Sequence, residues 1–323
     1  MKRKQNKVRE KTAPRLMYEE AREFFKSYKT NNTRKAYVNN YRKFINYCRN
    51  EHKCKTKKEC KEYIQNYADF LIAKGYTAST VHSYLVPVCI YHNIPISDIN
   101  KPKRITSEYS RGRSHNNRKK RPDNDVLNPK YERTVSFQNA VGIRRNELRN
   151  LSKEDWVYDE TGYPCVYVRK GKGGKPQLQR ILPGDVEFVK SYFSKLKANE
   201  FVFKADEFEN NISYHTLRAK QAQRAYAYYL NKLEKDPEYR KQLELEILNR
   251  WQKYNIDKNT GKPRRFNKNN ITGTYKLRGK SKEFAIKNNL PIEYDRLSLM
   301  AVSVFHLSHW RLSVTVASYM LAV

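Results

Sequence analysis

Four short clusters in this chain carry side chains suited to phosphate chemistry. The first is Gly142-Ile-Arg-Arg-Asn-Glu-Leu148. Arg144 precedes a predicted helix whose Glu147, three residues on, could hydrogen-bond and orient a guanidinium. By itself that spacing also simply supports a helix. The second is the turn Lys170-Gly-Lys-Gly-Gly-Lys175, with Lys172 between two glycines. Such a turn can push an ammonium into a DNA groove or against a leaving oxygen, and basic glycine turns are also common as plain surface. The third is His215-Thr-Leu-Arg218. Positions three apart share a helix face, so His215 and Arg218 point together while Leu217 turns to the core. Near a helix start they also sit beside free backbone N–H groups and the positive end of the dipole, a natural phosphate site. The plain alternative is a helix-end histidine with a surface arginine. The fourth is Leu307-Ser-His-Trp-Arg-Leu-Ser-Val-Thr-Val-Ala-Ser-Tyr319. Without the other three it reads as a buried amphipathic helix anchored by one of 25 tyrosines.

The elements that would position these residues follow from hydrophobic periodicity. From Met17 to about Tyr91 the pattern is helical. Tyr37, Tyr41, Phe44, Ile45 and Cys48 form one stripe, and Thr77 or Ser79 is a candidate N-cap for an apolar run over Val81–Tyr91. Four short helices fit this region. Beyond residue 123 the pattern predicts helices at Asn128–Ala140, Arg145–Leu151 and Asp185–Lys197. A hairpin is expected from Cys165–Arg169 and Gln177–Leu182 around the lysine turn. Ser213 is a predicted N-cap for the helix carrying His215, a long charged helix spans about Pro237–Tyr254, and two short apolar helices close the chain.

Composition narrows the partner. The 323 residues hold 66 Lys and Arg against 33 Asp and Glu, a formal charge of +33. That excess repels itself when folded, so an anionic partner is expected to offset it. Nucleic acid fits, because neutralised phosphates release counterions. A membrane surface is the competing reading, but no apolar run approaches a span and no signal peptide opens the chain, which predicts a soluble, cytoplasmic protein. Cys48, Cys54 and Cys60 with His52 raise a zinc reading. The even six-residue repeat is wider than known zinc spacings and rotates around a helix, which favours small reduced cysteines instead.

Charge also marks boundaries. The sequence divides into a basic arm (1–16), a helical domain (17–100), a linker (101–124) and a second, larger domain (125–323) that includes a long, charge-rich segment at about 226–290. Between residues 101 and 122 stand nine Lys or Arg and a single acid, Glu108. Arg118, Lys119, Lys120 and Arg121 either follow a phosphate backbone or are merely solvated.

Together and in this order, the four clusters resemble the tyrosine recombinase (phage integrase) family. The matches are to its G-x-R-x-x-E-L box, its G-K-G hairpin, its H-x-L-R box and its L-x-H box followed ten residues later by a tyrosine. Asn32-Thr-Arg-Lys-Ala-Tyr37 and Tyr76-Thr-Ala-Ser-Thr-Val-His-Ser-Tyr-Leu85 are similar to its core-binding domain. The resemblance implies a mainly α fold with a small antiparallel β-sheet, built as a SAM-like helical domain plus a DNA breaking-rejoining catalytic domain, clamped around DNA. It implies Tyr319 as nucleophile, forming a 3′-phosphotyrosyl link. Arg144 and Arg218 would hold the non-bridging oxygens, Lys172 would protonate the leaving oxygen, and His215 would handle the tyrosine proton. His309 would hydrogen-bond the phosphate, and Glu147 would hold the frame. It further implies double-stranded attachment sites as substrate and a homotetramer on DNA. An excisionase or host DNA-bending protein is a further possible partner, and no cofactor or metal is needed. A mobile-element integrase is the expectation. A type IB topoisomerase or a decayed, non-catalytic DNA-binding relative are the alternatives.

Three features depart from the family pattern. Arg218 and His309 lie 91 residues apart, leaving room for an insertion whose residues 258–287 hold ten basic side chains and one acidic. That segment is expected to pack outside the site and touch phosphate, or to be solvated. Ser308 stands where glycine is usual, and only Met320-Leu-Ala-Val323 follows the tyrosine, too little for a long tail that docks on a neighbour.

The linker reading has a direct test. Replacing Arg118, Lys119, Lys120 and Arg121 with Gln should flatten the salt dependence of DNA binding, each lost phosphate contact lowering the log–log slope by about 0.9. An unchanged slope in titrations at several salt concentrations makes the linker a solvated segment.

Overall fold

Amphipathic helices dominate this chain, and each of its two units builds its core from their apolar faces. The computed structural model describes residues 13–28, 31–103, 124–171, 174, 176–257 and 259–322. Most of the basic arm, the four basic linker positions 118–121, and Lys172 lie outside the described residues. The chain divides near residue 105 into two compact units, each treated by itself below.

The first unit is all helical. Its helices are α1 (Ala13–Phe24), α2 (Asn31–His52), α3 (Lys57–Glu62), α4 (Ile64–Ala73) and α5 (Ala78–His92). That is five where periodicity suggested four, because the six-residue α3, capped by Thr56 and almost wholly charged, ends at Tyr63 just before the apolar α4. Tyr41, Phe44, Ile45 and Cys48 are buried as the stripe predicts, with Tyr37 half-buried at its end. Thr77 caps α5, its hydroxyl accepting from the Thr80 amide, a contact of about 1 kcal/mol in such caps. All five cysteines of the chain are free and buried. Cys48, Cys54 and Cys60 belong to the core of this unit, while His52 stacks on Tyr63 and hydrogen-bonds the Tyr47 hydroxyl.

The second unit opens with α6 (Glu132–Val141) and the single turn α7 (Arg145–Leu148). A three-stranded antiparallel sheet follows: β1 (Trp156–Tyr158), β2 (Pro164–Val168) and β3 (Gln177–Arg180), in that spatial order. The expected hairpin is β2–β3, with Val168 opposite Gln177. β1 lacks a periodicity signal, since three residues after an acidic turn are too few to show one. Then come α8 (Val186–Ser194), α9 (Tyr214–Lys235) and α10 (Pro237–Tyr254), the last with the bounds that its charge pattern predicts. A two-stranded sheet of β4 (Thr274–Lys276) and β5 (Glu293–Asp295) brackets α11 (Gly279–Lys287). The chain closes on α12 (Arg296–Ala301) and α13 (Leu312–Thr315), each running into a wider π-helical turn, Val302–His306 and Val316–Met320. The fold is thus mostly helical with small antiparallel sheets, and among the described residues no helix is long and apolar enough to cross a membrane.

The 22-residue α9 is the spine of this unit. Its Leu217 joins the core formed by α6, the sheet and α8, whereas Ala219, Ala222, Ala225, Tyr229 and Leu233 join the core formed with α10 and the C-terminal helices. Small alanines let neighbouring backbones approach closely. At the end of α6, Gly142 takes φ +71°, and a Cβ there would sit 2.7 Å from Oε1 of Gln221 on α9. Both the left-handed backbone and the contact require glycine. Gly142→Ala should therefore cost about 1–3 kcal/mol of stability, measured as a lowered midpoint in denaturant unfolding. A midpoint equal to the parent's contradicts the close approach.

Candidate active site

Glu147 is the hub of the second unit's polar centre. It sits on α7, and its buried carboxylate faces two arginines from different elements. Oε2 accepts from the Arg144 amide at 2.8 Å, which caps α7, and Oε1 accepts from Arg144 Nη1 at 2.6 Å. Arg218 of α9 brings its Nη1 within 3.5 Å of the same carboxylate. Arg218 is 1% exposed, not the surface residue of the plain reading. Its Nη2 donates to the Leu307 carbonyl at 3.0 Å, tying α9 to the segment that holds His309. Burial pushes the Arg218 guanidinium below its ordinary range; Tyr319 beside it opposes that push, Arg144 adds to it, and Glu147 opposes it again.

Tyr319 lies against Arg218, its ring centre 5.8 Å from the Arg218 guanidinium carbon. The Tyr319 hydroxyl and His309 Nε2 are 2.8 Å apart, and the hydroxyl donates when the imidazole proton is on Nδ1. The His215 ring is centred 5.1 Å from that of Tyr319. The structure therefore brings together Arg144, Glu147, His215, Arg218, His309 and Tyr319, with His309 Nε2 at hydrogen-bond distance from the tyrosine oxygen and the His215 ring beside the tyrosine ring. Lys172 lies outside the described residues, although the neighbouring Gly171 lines the same cavity as Arg144.

Local backbone explains how these side chains converge. Ser213 occupies the N-cap position of α9, but its hydroxyl meets Thr216 Oγ1 at 2.9 Å instead of capping an amide. His215 and Arg218 nonetheless share one face, as their spacing predicts. His309 stands between two residues in the left-handed region, Ser308 at φ +50° and Trp310 at φ +59°. Ser308 thus has the backbone that suits glycine, and side chains held there store strain of about 1–3 kcal/mol each. His309 N–H donates to the Ser303 carbonyl, and the Arg311 amide donates to Ser303 Oγ, which fixes this loop on the π turn of Val302–His306. Wide π turns recur at functional sites because they re-aim a side chain, and Tyr319 sits in the second one.

The C-terminal segment is anchored within its own unit. Gln223 Nε2 donates to the carbonyls of Tyr319 and Ala322, both at 3.0 Å, and Met320 and Leu321 are buried in the core. Tyr319 itself is 3% exposed.

The segment between Arg218 and His309 contributes to the core of this unit, and α10 packs into that core. Glu246 and Arg250 are buried, Glu246 pairing with Arg180 at 2.7 Å and Arg250 lying 3.5 Å from Asp159. Asp159 also binds Arg180 at 2.7 Å. Burial pushes the Asp159 carboxyl up, but Arg180, Thr161 and local amides hold it below its usual value. Leu243, Ile247 and Trp251 of α10, with Ile271, Leu277 and Phe284 further on, are core residues. Patterning missed this because the segment is so basic that its apolar positions look sparse. Among the described residues no group of three His, Cys, Asp or Glu side chains is arranged to hold a metal ion.

No family model matches the chain, and no curated protein matches it. Among solved structures it is similar to XerA recombinase, at 17% identity over 64% of this chain and 82% of that one, with a TM-score of 0.22.

Beneath the site His306 is fully buried between Gln221 Nε2 (3.1 Å) and the Tyr229 hydroxyl (3.1 Å). Burial pushes its pKa down to about 3, with Arg180 and Arg250 adding to the effect. An unfolded histidine takes a proton near 6.5, so below that value protons favour the unfolded chain. The stability present above pH 6.5 drains as pH falls toward 3, by up to about 1.4 kcal/mol per pH unit for this one group. All three tryptophans lie in this unit, so their fluorescence reports its unfolding. His306→Gln should flatten the fall in denaturation midpoint between pH 6.5 and 3 relative to the parent. Parallel curves for the two proteins mean that His306 is protonated in the fold.

Proposed function

We propose that this protein is a site-specific DNA recombinase of the tyrosine type, cleaving and rejoining DNA through a 3′-phosphotyrosyl intermediate to integrate or excise a mobile element. The observation that carries the reading is Tyr319, its hydroxyl hydrogen-bonded to His309 and its ring 5.8 Å from the guanidinium of Arg218, which shares Glu147 with Arg144. A general base, a nucleophile and two fixed positive charges are the parts that phosphoryl transfer without a metal requires. The formal charge of +33 supports a DNA partner.

In this reading Tyr319 Oη attacks a phosphodiester phosphorus and the bond to the 5′-oxygen breaks. The tyrosine proton passes to His309, and Lys172 gives a proton to the departing 5′-oxygen. Arg144 and Arg218 take the charge that builds on the non-bridging oxygens, a role suited to guanidinium forks. A 5′-hydroxyl from a partner strand then reverses the step. Tyr319 is nearly buried, so attack follows displacement of the C-terminal segment. The reading includes double-stranded attachment sites, a homotetramer on DNA, an accessory excisionase or bending protein, DNA contacts from residues 17–100 and 101–124, and catalysis from 125–323.

Substitutions at four positions test it. Tyr319→Phe should bind DNA as the parent does and form no covalent adduct on nicked suicide substrates built from the DNA flanking the gene. An adduct formed by the Phe variant means another nucleophile, and no adduct from the parent removes the enzymatic reading. Lys172→Ala should be slowed by ~10²–10⁴-fold on ordinary DNA, the usual range for a lost general acid. It should be nearly restored on a substrate with sulfur at the bridging 5′ position, because a thiolate leaves unaided. Arg144→Ala and Arg218→Ala should stay defective on both. Absence of rescue takes Lys172 out of the acid role.

A further inference from the structure

The insertion builds one wall of a cavity of about 250 Å³ beside Arg144. Leu178 of β3, Tyr254 and Ile256 at the end of α10, and Trp310 next to His309 supply apolar walls, and Arg144 and Arg250 supply charge. Two independent features mark it as built for a ligand. The Arg250 side chain is 3% exposed, and its Nη1 and Nη2 make no hydrogen bond. Its nearest carboxylate, Asp159, is 3.5 Å away and already bound by Arg180. Trp310 is held in the left-handed region, with its ring set edge-on against Trp251 of α10 at 5.7 Å and 88°. A strained aromatic fixed at the rim of a cavity and a buried cation with open donors both wait for a partner.

That partner must have a flat apolar face, a polar acceptor edge and an anion within reach of Arg144. A nucleotide has all three. We propose that the cavity takes up one unstacked nucleobase of the DNA strand next to the phosphate held by Arg144, an inference that rests on the strand-transfer reading above. The base ring lies against Tyr254 and Trp310, and its acceptor edge meets Arg250. Stacking on aromatic rings is tolerant of base identity and offsets part of the cost of unpairing. The insertion thereby becomes part of the DNA-reading surface through its buried end, not through its basic exterior.

The test uses the full chain and needs no cleavage. The three tryptophan indole N–H signals are followed by NMR, with Trp310→Phe assigning Trp310. The four 5′-deoxynucleoside monophosphates should shift the Trp310 signal saturably, and 2-deoxyribose 5-phosphate should leave it in place. A duplex of arbitrary sequence with one central mismatch should bind about fivefold or more tightly than its paired counterpart, since a mismatched base unstacks more cheaply. Ile256→Phe, which fills the cavity from a half-buried position, should lose both effects. If that variant does not fold, Tyr254→Ala at the rim should weaken both. Equal shifts from the sugar phosphate overturn the proposal in favour of a plain phosphate site at Arg144. Monophosphate binding without mismatch preference overturns it in favour of a free nucleotide, and no shift overturns it outright. Covalent capture by Tyr319 without mismatch preference discards the base pocket and leaves the recombinase reading standing. Mismatch preference without capture discards the nucleophile instead.

Discussion

One buried carboxylate holds this site together. Glu147 binds the amide and guanidinium of Arg144 and faces the guanidinium of Arg218, which solvent hardly reaches. Removing one partner from a buried charge cluster costs several kcal/mol because the remaining charge is stranded. Here two positive groups lie close enough for Arg144 to push Arg218 down, so the carboxylate does more than cap a turn. It makes two like charges tolerable in one place. A phosphate arriving there would meet guanidiniums already oriented, with little reorganisation left to perform.

Everything farther out serves to bring Tyr319 to that pair. α9 carries Arg218 on one turn and Gln223 on the next, so one helix holds both the buried guanidinium and the carbonyl of the tyrosine. The Arg218 bond to the Leu307 carbonyl fixes where the His309 loop begins, and Ser303 fixes how it continues. The tyrosine is hydrogen-bonded and covered in the same arrangement. The cluster is therefore pre-organised in its charges and covered at its tyrosine. Those properties are compatible because the tyrosine lies on the π turn Val316–Met320, while the charges lie at the start of α7 and on α9.

Most of this site was readable in the sequence because its boxes are local. Arg144 with Glu147, and His215 with Arg218, are pairs three residues apart whose facing follows from helix geometry alone. The choice between a surface and a buried Arg218 was not readable, since burial depends on Glu147 and Leu307 coming from elsewhere. The identity of the histidine that touches Tyr319 was equally out of reach. It depends on left-handed backbone at Ser308 and Trp310, where no glycine announces the turn. For the fold, long periodic runs such as α10 were legible to their ends, whereas β1 and the division between α3 and α4 were too short to leave a pattern.

The insertion shows why charge alone misleads about position. Ten basic residues among the thirty from 258 to 287 suggest a segment that meets only water and phosphate. Yet the same region places Leu277 and Phe284 in the core, and α10 before it sends Glu246 and Arg250 into a buried network with Asp159 and Arg180. Long basic side chains reach solvent easily from a helix whose other face is buried, so a high count of lysine and arginine says little about the remaining positions. The buried network has its own logic. Arg180 lies between the rings of Tyr163 and Phe305, 4.1 and 3.8 Å from their centres, so its charge is shared between two carboxylates and two aromatic faces. Phe305 belongs to the π turn whose Ser303 holds the His309 loop. The packing of the insertion is thus connected, through Arg180 and Phe305, to the backbone that aims His309 at Tyr319.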